Sequence, residues 1–278
     1  MARSRADAER AVQELMSGDL VGLEAARQVV LEEVLEGIEA SVLLFTDGRD
    51  YALMPLARDH KRLGENDTGP NTGGMGAITD ASIVEEQMFK RVIQEVIEPT
   101  LEGACAEGFP FRGILFVGLM LTSDGPKVLE YNVRFGDPET QAILVRLETN
   151  LLDIFQAIRA GQLRELKVQW RQGASACVVL ASEGYPGNYE TGSRIAGLSQ
   201  LEGDKSVRVF HGGTLKSRQG DFLTAGGRVL GVTATGDTLA EALGRCYGAA
   251  GKISWAGMYY RSDIGRFKER QPKGRHAV

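Results

Sequence analysis

The feature that most limits the fold is a long apolar run followed at once by a turn and a strand. Residues 113–122 read GILFVGLMLT, residues 126–133 read PKVLEYNV, and Ser123-Asp124-Gly125 lies between them. Such turn residues between two strand-like runs predict an antiparallel hairpin. A second hairpin is predicted where TDGRD joins SVLLF to YALMPL, with Asp47-Gly48 in its turn. The chain must therefore contain an antiparallel sheet.

Several helices are predicted from apolar spacing and capping residues. They are residues 5–17, a long helix that begins at Ser82 with Glu85 completing a capping box, a helix that starts at Asp137-Pro138, and a helix from near Asn150 to Gly161. QVVLEEVL, residues 28–35, is predicted to be a strand.

The texture of the sequence changes near residue 165. Beyond it, the strand-like runs ASACVVLAS, SVRVFHGG and GGRVLGVTA are separated by glycine-rich turns, and residues 238–250 form one capped helix. We therefore predict an α/β (α+β) protein with two domains, residues 1–165 and residues 166–278.

Composition excludes several classes of function. The chain has 278 residues, 43% hydrophobic and 25% charged, with a net charge of -5, which argues against a general nucleic-acid or acidic-membrane binder. GILFVGLML is far too short to cross a membrane, and the first residues carry no apolar signal core. The three cysteines have no paired spacing, which favours a reducing compartment. The cytoplasm is the predicted location, without a membrane or nucleic-acid partner.

The first candidate site is the strand in VLEYNVRFGDPE. Alternation along a strand predicts that Val128, Glu130, Asn132 and Arg134 share one face. A carboxylate and an amide oxygen are hard ligands that suit Mg²⁺, and the arginine can hold phosphate oxygens. The alternative is an edge strand whose polar face is only solvated, and spacing alone does not separate the two.

The second candidate is GENDTGPNTGGMGA, residues 64–77, which follows His60, Lys61 and Arg62. It is too rich in glycine for a helix or a strand interior, and no Gly-Lys-Ser/Thr follows, so it is not a Walker A loop. Its main-chain amides could meet an anion, or it could be a surface connector. Because Pro70, Thr72 and Met75 break any flexible-linker pattern, we predict an ordered, substrate-facing loop.

Two long motifs in the right order resemble the phosphoribosylamine–glycine ligase family of the ATP-grasp superfamily. They are DHKRLGENDTGPNTGGMGA and NVRFGDPETQ, and the likeness continues through SEGYPGNY, VFHGGT, GGRVLGVTA and YRSDIG. The resemblance implies an ATP-grasp domain followed by a smaller α+β domain. It also implies the joining of glycine to 5-phosphoribosylamine with ATP and Mg²⁺ or Mn²⁺, through glycyl phosphate, in purine synthesis.

The resemblance also implies roles for individual residues. Glu130 and Asn132 match the metal ligands, and Arg134 matches the catalytic residue beside the transferred phosphoryl group. The implied ATP-binding residues are Glu32, Glu33, Leu35, Glu39 and Lys61, and the implied substrate-binding residues are Gly73, Gly74, Met75, Gly76, Asp137 and Glu139.

The sequence departs from the family pattern in two places. GILFVGLMLT lacks the further metal-binding carboxylate that many ATP-grasp enzymes carry there, which puts a second metal in doubt. The likeness begins after the family's amino-terminal domain and its glycine-lysine loop, so the ATP-grasp domain is expected to be incomplete on its amino-terminal side. We therefore expect little turnover from the chain alone. The alternatives are a fragment that binds nucleotide weakly and a subunit whose partner is the missing amino-terminal part.

Overall fold

The computed structural model describes residues 2, 4–18, 22 and 24–267, which fall into two units, residues 1–36 and residues 37–278. In the first unit, helix α1 spans Arg5–Met16, and Ser4 caps it by accepting a hydrogen bond from the Asp7 amide. This confirms the predicted first helix. The strand predicted at residues 28–35 is wrong: these residues form no strand, and Val30, Leu31 and Val34 are exposed. Apolar content alone does not make a strand, because a strand needs a hydrogen-bonded neighbour.

The second unit is built on one large sheet. Among the described residues its strands are β1 (Ile38–Thr46), β2 (Tyr51–Leu53), β3 (Ala57–Asp59), β6 (Gly76–Thr79), β7 (Gly113–Thr122), β8 (Gly125–Asn132), β9 (Ala174–Ser182), β10 (Val207–His211), β13 (Arg228–Gly236) and β14 (Met258–Tyr259). The main path runs β10-β13-β9-β6-β3-β1-β7-β8, and neighbouring strands along it are antiparallel. Two small hairpins, β4 (Arg62–Gly64) with β5 (Thr68–Asn71) and β11 (Thr214–Lys216) with β12 (Phe222–Thr224), lie outside it.

Helices cover the sheet on both faces. They are α2 (Glu86–Val92), α3 (Glu98–Ala106), α4 (Glu139–Leu144), α5 (Leu151–Ala160) and α6 (Leu239–Ala250). Side chains of α2, α3 and α6 join a core with Val42, Val117 and Val178, whereas side chains of α4 and α5 join a second core with Leu43 and Phe116. Val117 and Phe116 are neighbours in β7 and therefore point to opposite faces of the sheet. The helices that pack with Val117 thus lie on one side of the sheet, and those that pack with Phe116 lie on the other.

Both predicted hairpins are confirmed. β1 pairs with β2 around Asp47-Gly48, and β7 pairs with β8 around Ser123-Asp124. The predicted helix from Asn150 is also confirmed, since the Asn150 side chain accepts from the Leu152 amide and left-handed Gly161 ends α5.

Two predicted helix starts are wrong. Asp80 caps a single 3₁₀ turn over Ala81–Ile83, and α2 begins only at Glu86, so Ser82 and Glu85 make no capping box. The Asp80 side chain accepts the hydrogen bond from the Ser82 amide, and such a local side-chain bond competes with continuation of a helix. Likewise α4 begins at Glu139, and no side chain of Asp137 or Pro138 caps it.

The large sheet passes without a break through the predicted domain boundary at residue 165. β6, from the first predicted domain, pairs with β9, from the second, in four registered positions from Gly76↔Val178 to Thr79↔Ser175. The division into residues 1–165 and 166–278 stays a prediction, and its boundary falls between α5 and β9.

Candidate active site

Polar side chains of β8 and β1 lie in one line across the sheet, with a glycine of β7 between them, on the face covered by α4. Glu130 of β8 pairs with Gly118 of β7, and Gly118 pairs with Ser41 of β1. Residues that pair across strands share a face, so Glu130, Gly118 and Ser41 form one line. Asn132 pairs with Phe116 on the same face. The strand alternation thus aims the two predicted metal ligands to one side, as the sequence predicted.

A β-bulge corrects the predicted face of Val128. Gly118 pairs with Glu130, but its neighbour Leu119 pairs with Val128, so Leu129 is an extra residue between the two pairs. Val128 therefore shares the face of Leu119, opposite to Glu130, because a bulge inserts one residue and breaks the two-residue alternation.

Arg134 lies beside Asn132, just beyond the end of β8. Its Nη2 donates to Asn132 Oδ1 at 3.2 Å, and its Nη1 donates to the Phe135 carbonyl oxygen at 2.9 Å. The arginine and Glu130 are both exposed, whereas Asn132 is half-buried. The contact brings a cationic group next to one of the two predicted metal ligands.

A lysine surrounded by carboxylates lies on the same face. Lys61 Nζ is 3.8 Å from Glu39 Oε2. Burial alone would lower the pKa of Lys61, but Asp59, Glu39 and Glu130 outweigh it and the pKa is raised. The lysine therefore stays charged at neutral pH, and it links the predicted ATP-binding residues to the metal side.

Two carboxyl groups in this cluster have raised pKa values. Burial, with the charge of Glu139, raises the pKa of Asp59 to about 7. Burial also raises the pKa of Glu139, whose side chain is 4% exposed and accepts a hydrogen bond from Ser41 Oγ at 3.4 Å. Gly136 leaves the space for this carboxylate, since a Cβ there would come within 2.5 Å of Glu139 Oε2. The pair can hold or release a proton near neutral pH.

The glycine turn of residues 73–76 packs against the loop that leads into α4. A Cβ on Gly74 would come within 2.5 Å of Pro138 Cδ, and Gly74 has a φ of 111°, so both space and backbone require glycine. Arg228 Nη1 joins the two segments by donating to the Gly73 and Asp137 carbonyl oxygens, each at 2.8 Å. The turn therefore lies beside Asp137, and its role as a substrate loop stays a prediction.

The Met75 side chain packs in the core, and the predicted substrate-binding role of this residue stays a prediction. Its side chain is fully buried in the core, its amide donates to the His60 carbonyl oxygen, and its carbonyl oxygen accepts from the Val179 amide. The carbonyl oxygen of Gly76 is also used, by the His60 amide. The turn thus exposes Gly73 to solvent, whereas Met75 and Gly76 make hydrogen bonds with neighbouring segments of the sheet.

The preceding segment, residues 62–71, is a hairpin fastened to the end of the described chain. Arg261 Nη1 donates to Asp67 Oδ1 at 3.0 Å and to the Arg62 carbonyl oxygen at 2.9 Å. The Asn66 amide donates to Asp263 Oδ2 at 2.7 Å. The glycine-rich stretch thus has two parts, a tethered hairpin and a turn beside the candidate site.

Family models match most of the chain. The model for the phosphoribosylglycinamide synthetase ATP-grasp (A) domain matches residues 1–140, and the model for the C domain of the same synthetase matches residues 175–267. The chain belongs to this family. Its large antiparallel sheet and mixed helices therefore belong to an ATP-grasp fold followed by the family's C domain, as the sequence predicted.

Individual relatives agree with this assignment. Phosphoribosylamine–glycine ligase from Vibrio vulnificus is 47% identical over 260 residues, which are 93% of this chain and 60% of the relative. The enzyme of that name from Xanthomonas axonopodis is 44% identical over 278 residues, which are 99% of this chain and 64% of the relative. The chain thus spans less than two thirds of the length of the curated relatives it matches.

Solved structures give the same picture. The crystal structure of the Thermotoga maritima phosphoribosylamine–glycine ligase has a TM-score of 0.77 and 36% identity, and the match covers 92% of this chain and 63% of that one. A biotin carboxylase domain from Hydrogenobacter thermophilus, solved with MgADP, has a TM-score of 0.64 at 13% identity and covers 93% of this chain and 54% of that one. At that identity the second likeness shows the fold alone.

The donor set on β8 fits a divalent metal that is shared with a ligand. Among the described residues, no group of three or more histidine, cysteine, aspartate or glutamate side chains could hold a metal ion. Mg²⁺ needs no such group, because it usually takes one or two protein ligands and fills its shell with phosphate oxygens and water. Glu130 and Asn132 supply one carboxylate and one amide oxygen, which suits this mode of binding.

Three predicted ATP-binding residues lie in the first unit. Glu32 and Glu33 are exposed and Leu35 is half-buried, in a segment without helix or strand. Their adenine-side role stays a prediction that rests on the family likeness.

Sequence reasoning missed Asp59, Ser41 and Arg228 as members of the site. Asp59 was detectable, because it lies only two residues before Lys61, whose pKa its charge helps to raise. Ser41 and Arg228 come from strands whose polar positions carried no local signal.

No helix in the described part of the chain is both long and apolar enough to cross a membrane.

Proposed function

We propose that this chain takes part in the ATP-dependent ligation of glycine to 5-phosphoribosylamine, giving glycinamide ribonucleotide, ADP and phosphate in purine synthesis. The family assignment and the named relatives support the proposal. The observation that carries it is the alignment of Glu130 and Asn132 on the face that also holds Lys61, Asp59 and Glu139. We place the reaction in the cytoplasm.

The residues of this face would have separate roles in binding the nucleotide and in stabilising the phosphoryl transfer. Glu130 and Asn132 would hold Mg²⁺ or Mn²⁺, and a divalent cation neutralises charge on phosphate oxygens. Lys61 and Arg134 would add positive charge beside the transferred phosphoryl group, where electrostatic stabilisation lowers the barrier. Glu39, Glu32, Glu33 and Leu35 would contact the nucleoside part of ATP.

The ligation needs a proton acceptor as well as charge. The glycine carboxylate takes the γ-phosphoryl group to form glycyl phosphate, and the amine then displaces phosphate and loses a proton. Because the pKa of Asp59 is raised to about 7, its carboxylate is suited to receive that proton near neutral pH. Glu139 would share it, while Asp137 and the glycine turn would position the amine substrate.

Titration of Mg·ATP into the purified chain, followed by calorimetry, tests the proposal. Glu130→Ala should abolish metal-dependent binding, because it removes the carboxylate ligand. Glu102→Gln, on an exposed position of α3, is the matched control and should bind like the wild type. Unchanged binding in Glu130→Ala would overturn the ligand assignment.

Phosphate release with glycine and phosphoribosylamine then tests the ligation itself. We expect release to require both substrates. Binding of Mg·ATP without any such release, even after an amino-terminal fragment of a relative is added, would favour a chain that only binds nucleotide.

A further inference from the structure

Arg228, the first residue of β13, holds two segments of the candidate site with one nitrogen. Its Nη1 donates to the Gly73 carbonyl oxygen at 2.8 Å, to the Asp137 carbonyl oxygen at 2.8 Å and to Asp137 Oδ1 at 3.2 Å. These acceptors come from the glycine turn and from the loop before α4. The guanidinium position is therefore fixed by main-chain atoms.

The other two nitrogens of Arg228 have no hydrogen-bond acceptor among the described residues. In the part of the chain that the structure describes, Nε and Nη2 donate no hydrogen bond, and neither is a buried polar atom without a partner. The side chain is only 26% exposed. Two charged donors thus reach solvent from a side chain that is otherwise enclosed.

The free edge has the geometry of an oxyanion receptor. The Nε–H and Nη2–H groups of a guanidinium point in the same direction and match two oxygens of a carboxylate or a phosphate. Gly73 lies against the guanidinium, because a Cβ there would come within 2.9 Å of Arg228 Cζ and Nη2. Anchoring at Nη1 and this contact leave the edge little freedom, which reduces the entropy cost of binding.

The same hydrogen-bonded cluster contains an unused acceptor. Gln141 Nε2 donates to Asp137 Oδ1 at 3.0 Å, which fixes the orientation of the amide, and Gln141 Oε1 is buried without a hydrogen-bond partner among the described residues. Buried acceptors are rarely left unpaired in a native structure. Gln141 therefore helps to hold Asp137 in place, in addition to Arg228.

We propose that the Nε/Nη2 edge of Arg228 binds an oxyanion of one of the two substrates, either glycine, which reacts with the nucleotide, or the phosphoribosyl substrate, which reacts with the activated acid. This inference rests on the proposed function and names a residue for one side of it. Two substrate groups have the required chemistry, the carboxylate of glycine and the phosphate of the phosphoribosyl substrate. Arg228 holds Asp137 on the loop that leads into α4, and Gly74 packs against Pro138 of the same loop, so the edge lies where the glycine turn meets the start of α4.

The test is calorimetric titration of the full chain, in the presence of Mg·ADP, with glycine in one arm and ribose 5-phosphate in the other. Arg228→Gln should weaken binding of one of these probes by about ten-fold or more, because two charged hydrogen bonds are lost. Arg228→Lys should remain weaker than the wild type, since an ammonium cannot replace the two-pronged edge. Mg·ADP should bind each variant within about two-fold of the wild type.

Arg208→Gln is the matched control. Arg208 also donates through Nη1 to three main-chain carbonyl oxygens, those of Asp204, Lys205 and Val207, but it lies on the edge strand β10. Its replacement should leave binding of both probes unchanged. Gly73→Ala gives a second route if Arg228→Gln fails to fold, because the added methyl group displaces the guanidinium without removing its charge.

The outcomes separate this inference from the proposed function. The inference is overturned if Arg228→Gln, or Gly73→Ala in its place, binds both probes like the wild type. It is also overturned if the wild type binds neither probe, or if Arg208→Gln weakens binding equally. If the wild type fails to bind Mg·ADP but shows Arg228-dependent probe binding, the proposed function fails and the oxyanion site stands.

Discussion

Arg261 and Arg228 each hold one part of the glycine-rich stretch, but they use their donors differently. Arg261 is fully buried; its Nε and Nη2 donate to the two oxygens of Asp263, each at 2.7 Å, and its Nη1 donates to Asp67 and to the Arg62 carbonyl oxygen. Arg228 donates hydrogen bonds to the described residues through Nη1 only. Each arginine reaches a loop that is far away in the sequence.

The difference separates a structural arginine from one that is available for a ligand. A buried guanidinium without partners would cost several kcal/mol, so a fully buried arginine needs nearly all its donors paired. An arginine near the surface can leave donors to water until a ligand replaces it. Unused donors on a fixed side chain are therefore the signal that marks Arg228, and complete pairing marks Arg261 as part of the framework.

The largest predicted effect is the loss of the buried arginine. Arg261→Met should lower the free energy of unfolding by about 3–5 kcal/mol, chiefly because Asp263, whose side chain is 13% exposed, loses both hydrogen bonds from its partner. Urea unfolding measures it. Arg194→Gln is the control, since the Arg194 side chain is 73% exposed and pairs with Asp221, so its loss should cost less than about 1 kcal/mol. Equal losses in the two variants would remove the distinction drawn above.

The second prediction compares glycines in the two parts of the stretch. Gly69, in the hairpin, has a φ of 79°, and a Cβ there would make only ordinary contacts, whereas Gly74, in the turn, has a φ of 111° and lies against Pro138. Gly69→Ala should show only the backbone cost of roughly 1–2 kcal/mol. Gly74→Ala should lose about 1–3 kcal/mol more, because the added methyl group also overpacks the site. Thermal unfolding of both variants checks the order, and a larger loss at Gly69 would contradict it.

The third prediction concerns the stability contributed by Arg228. Arg228→Gln should lower the free energy of unfolding by about 1–2 kcal/mol, since it removes hydrogen bonds from a partly exposed charge. The loss should be clearly smaller than that of Arg261→Met under the same urea conditions. A loss as large as 3–5 kcal/mol would class Arg228 with the buried framework arginine.

The smallest predicted effect is a pH dependence with opposite signs in the two regions. Hydrogen bonds from His60 and Arg261 lower the pKa of Asp67. The ionised Asp67 therefore stabilises the folded state above pH 3.8, its ordinary pKa, and this stabilisation is lost as pH falls below that value. Burial raises the pKa of Asp59 from 3.8 to about 7, so its contribution is full below pH 3.8 and is lost as pH rises through about 7.

Asp59→Asn isolates the second region. Relative to the wild type, this variant should become more stable as pH rises from 5 to 8, by on the order of 1 kcal/mol, because the wild type must ionise Asp59 beside Glu139 in this range and the amide does not ionise. Urea unfolding at several pH values in this range measures the difference. A difference that stays constant, or that reverses, would show that the Asp59 pKa is not raised.

Local features of the fold were predictable from the sequence. Turn residues fixed both hairpins, and Asn150 and Gly161 marked the ends of α5 because a cap and a left-handed glycine act on their own neighbours. The alternation of Glu130 and Asn132 also predicted their common face. Each of these signals lies within a few residues of the structure it determines.

Long-range features were not predictable in this way. The extra residue at Leu129 changes the face of Val128, and only the pairing with β7 reveals it. Arg228 lies 155 residues from Gly73, and Arg261 lies 199 residues from Arg62, so no spacing rule connects them. The apolar segment of residues 28–35 failed as a strand for the same reason, since a strand depends on a partner that composition does not supply.

The ladder between β6 and β9 has a consequence for how the chain is made. Gly76, at the end of the glycine turn, pairs with Val178, and β6 therefore has an open edge until β9 has been synthesised. A nascent chain can close its early hairpins as they emerge, but the turn acquires its final anchors only when β9 and Arg228 arrive. Maturation of the proposed site is thus a late event in translation, and a ribosome that stalls before β9 leaves β6 exposed to wrong strand partners.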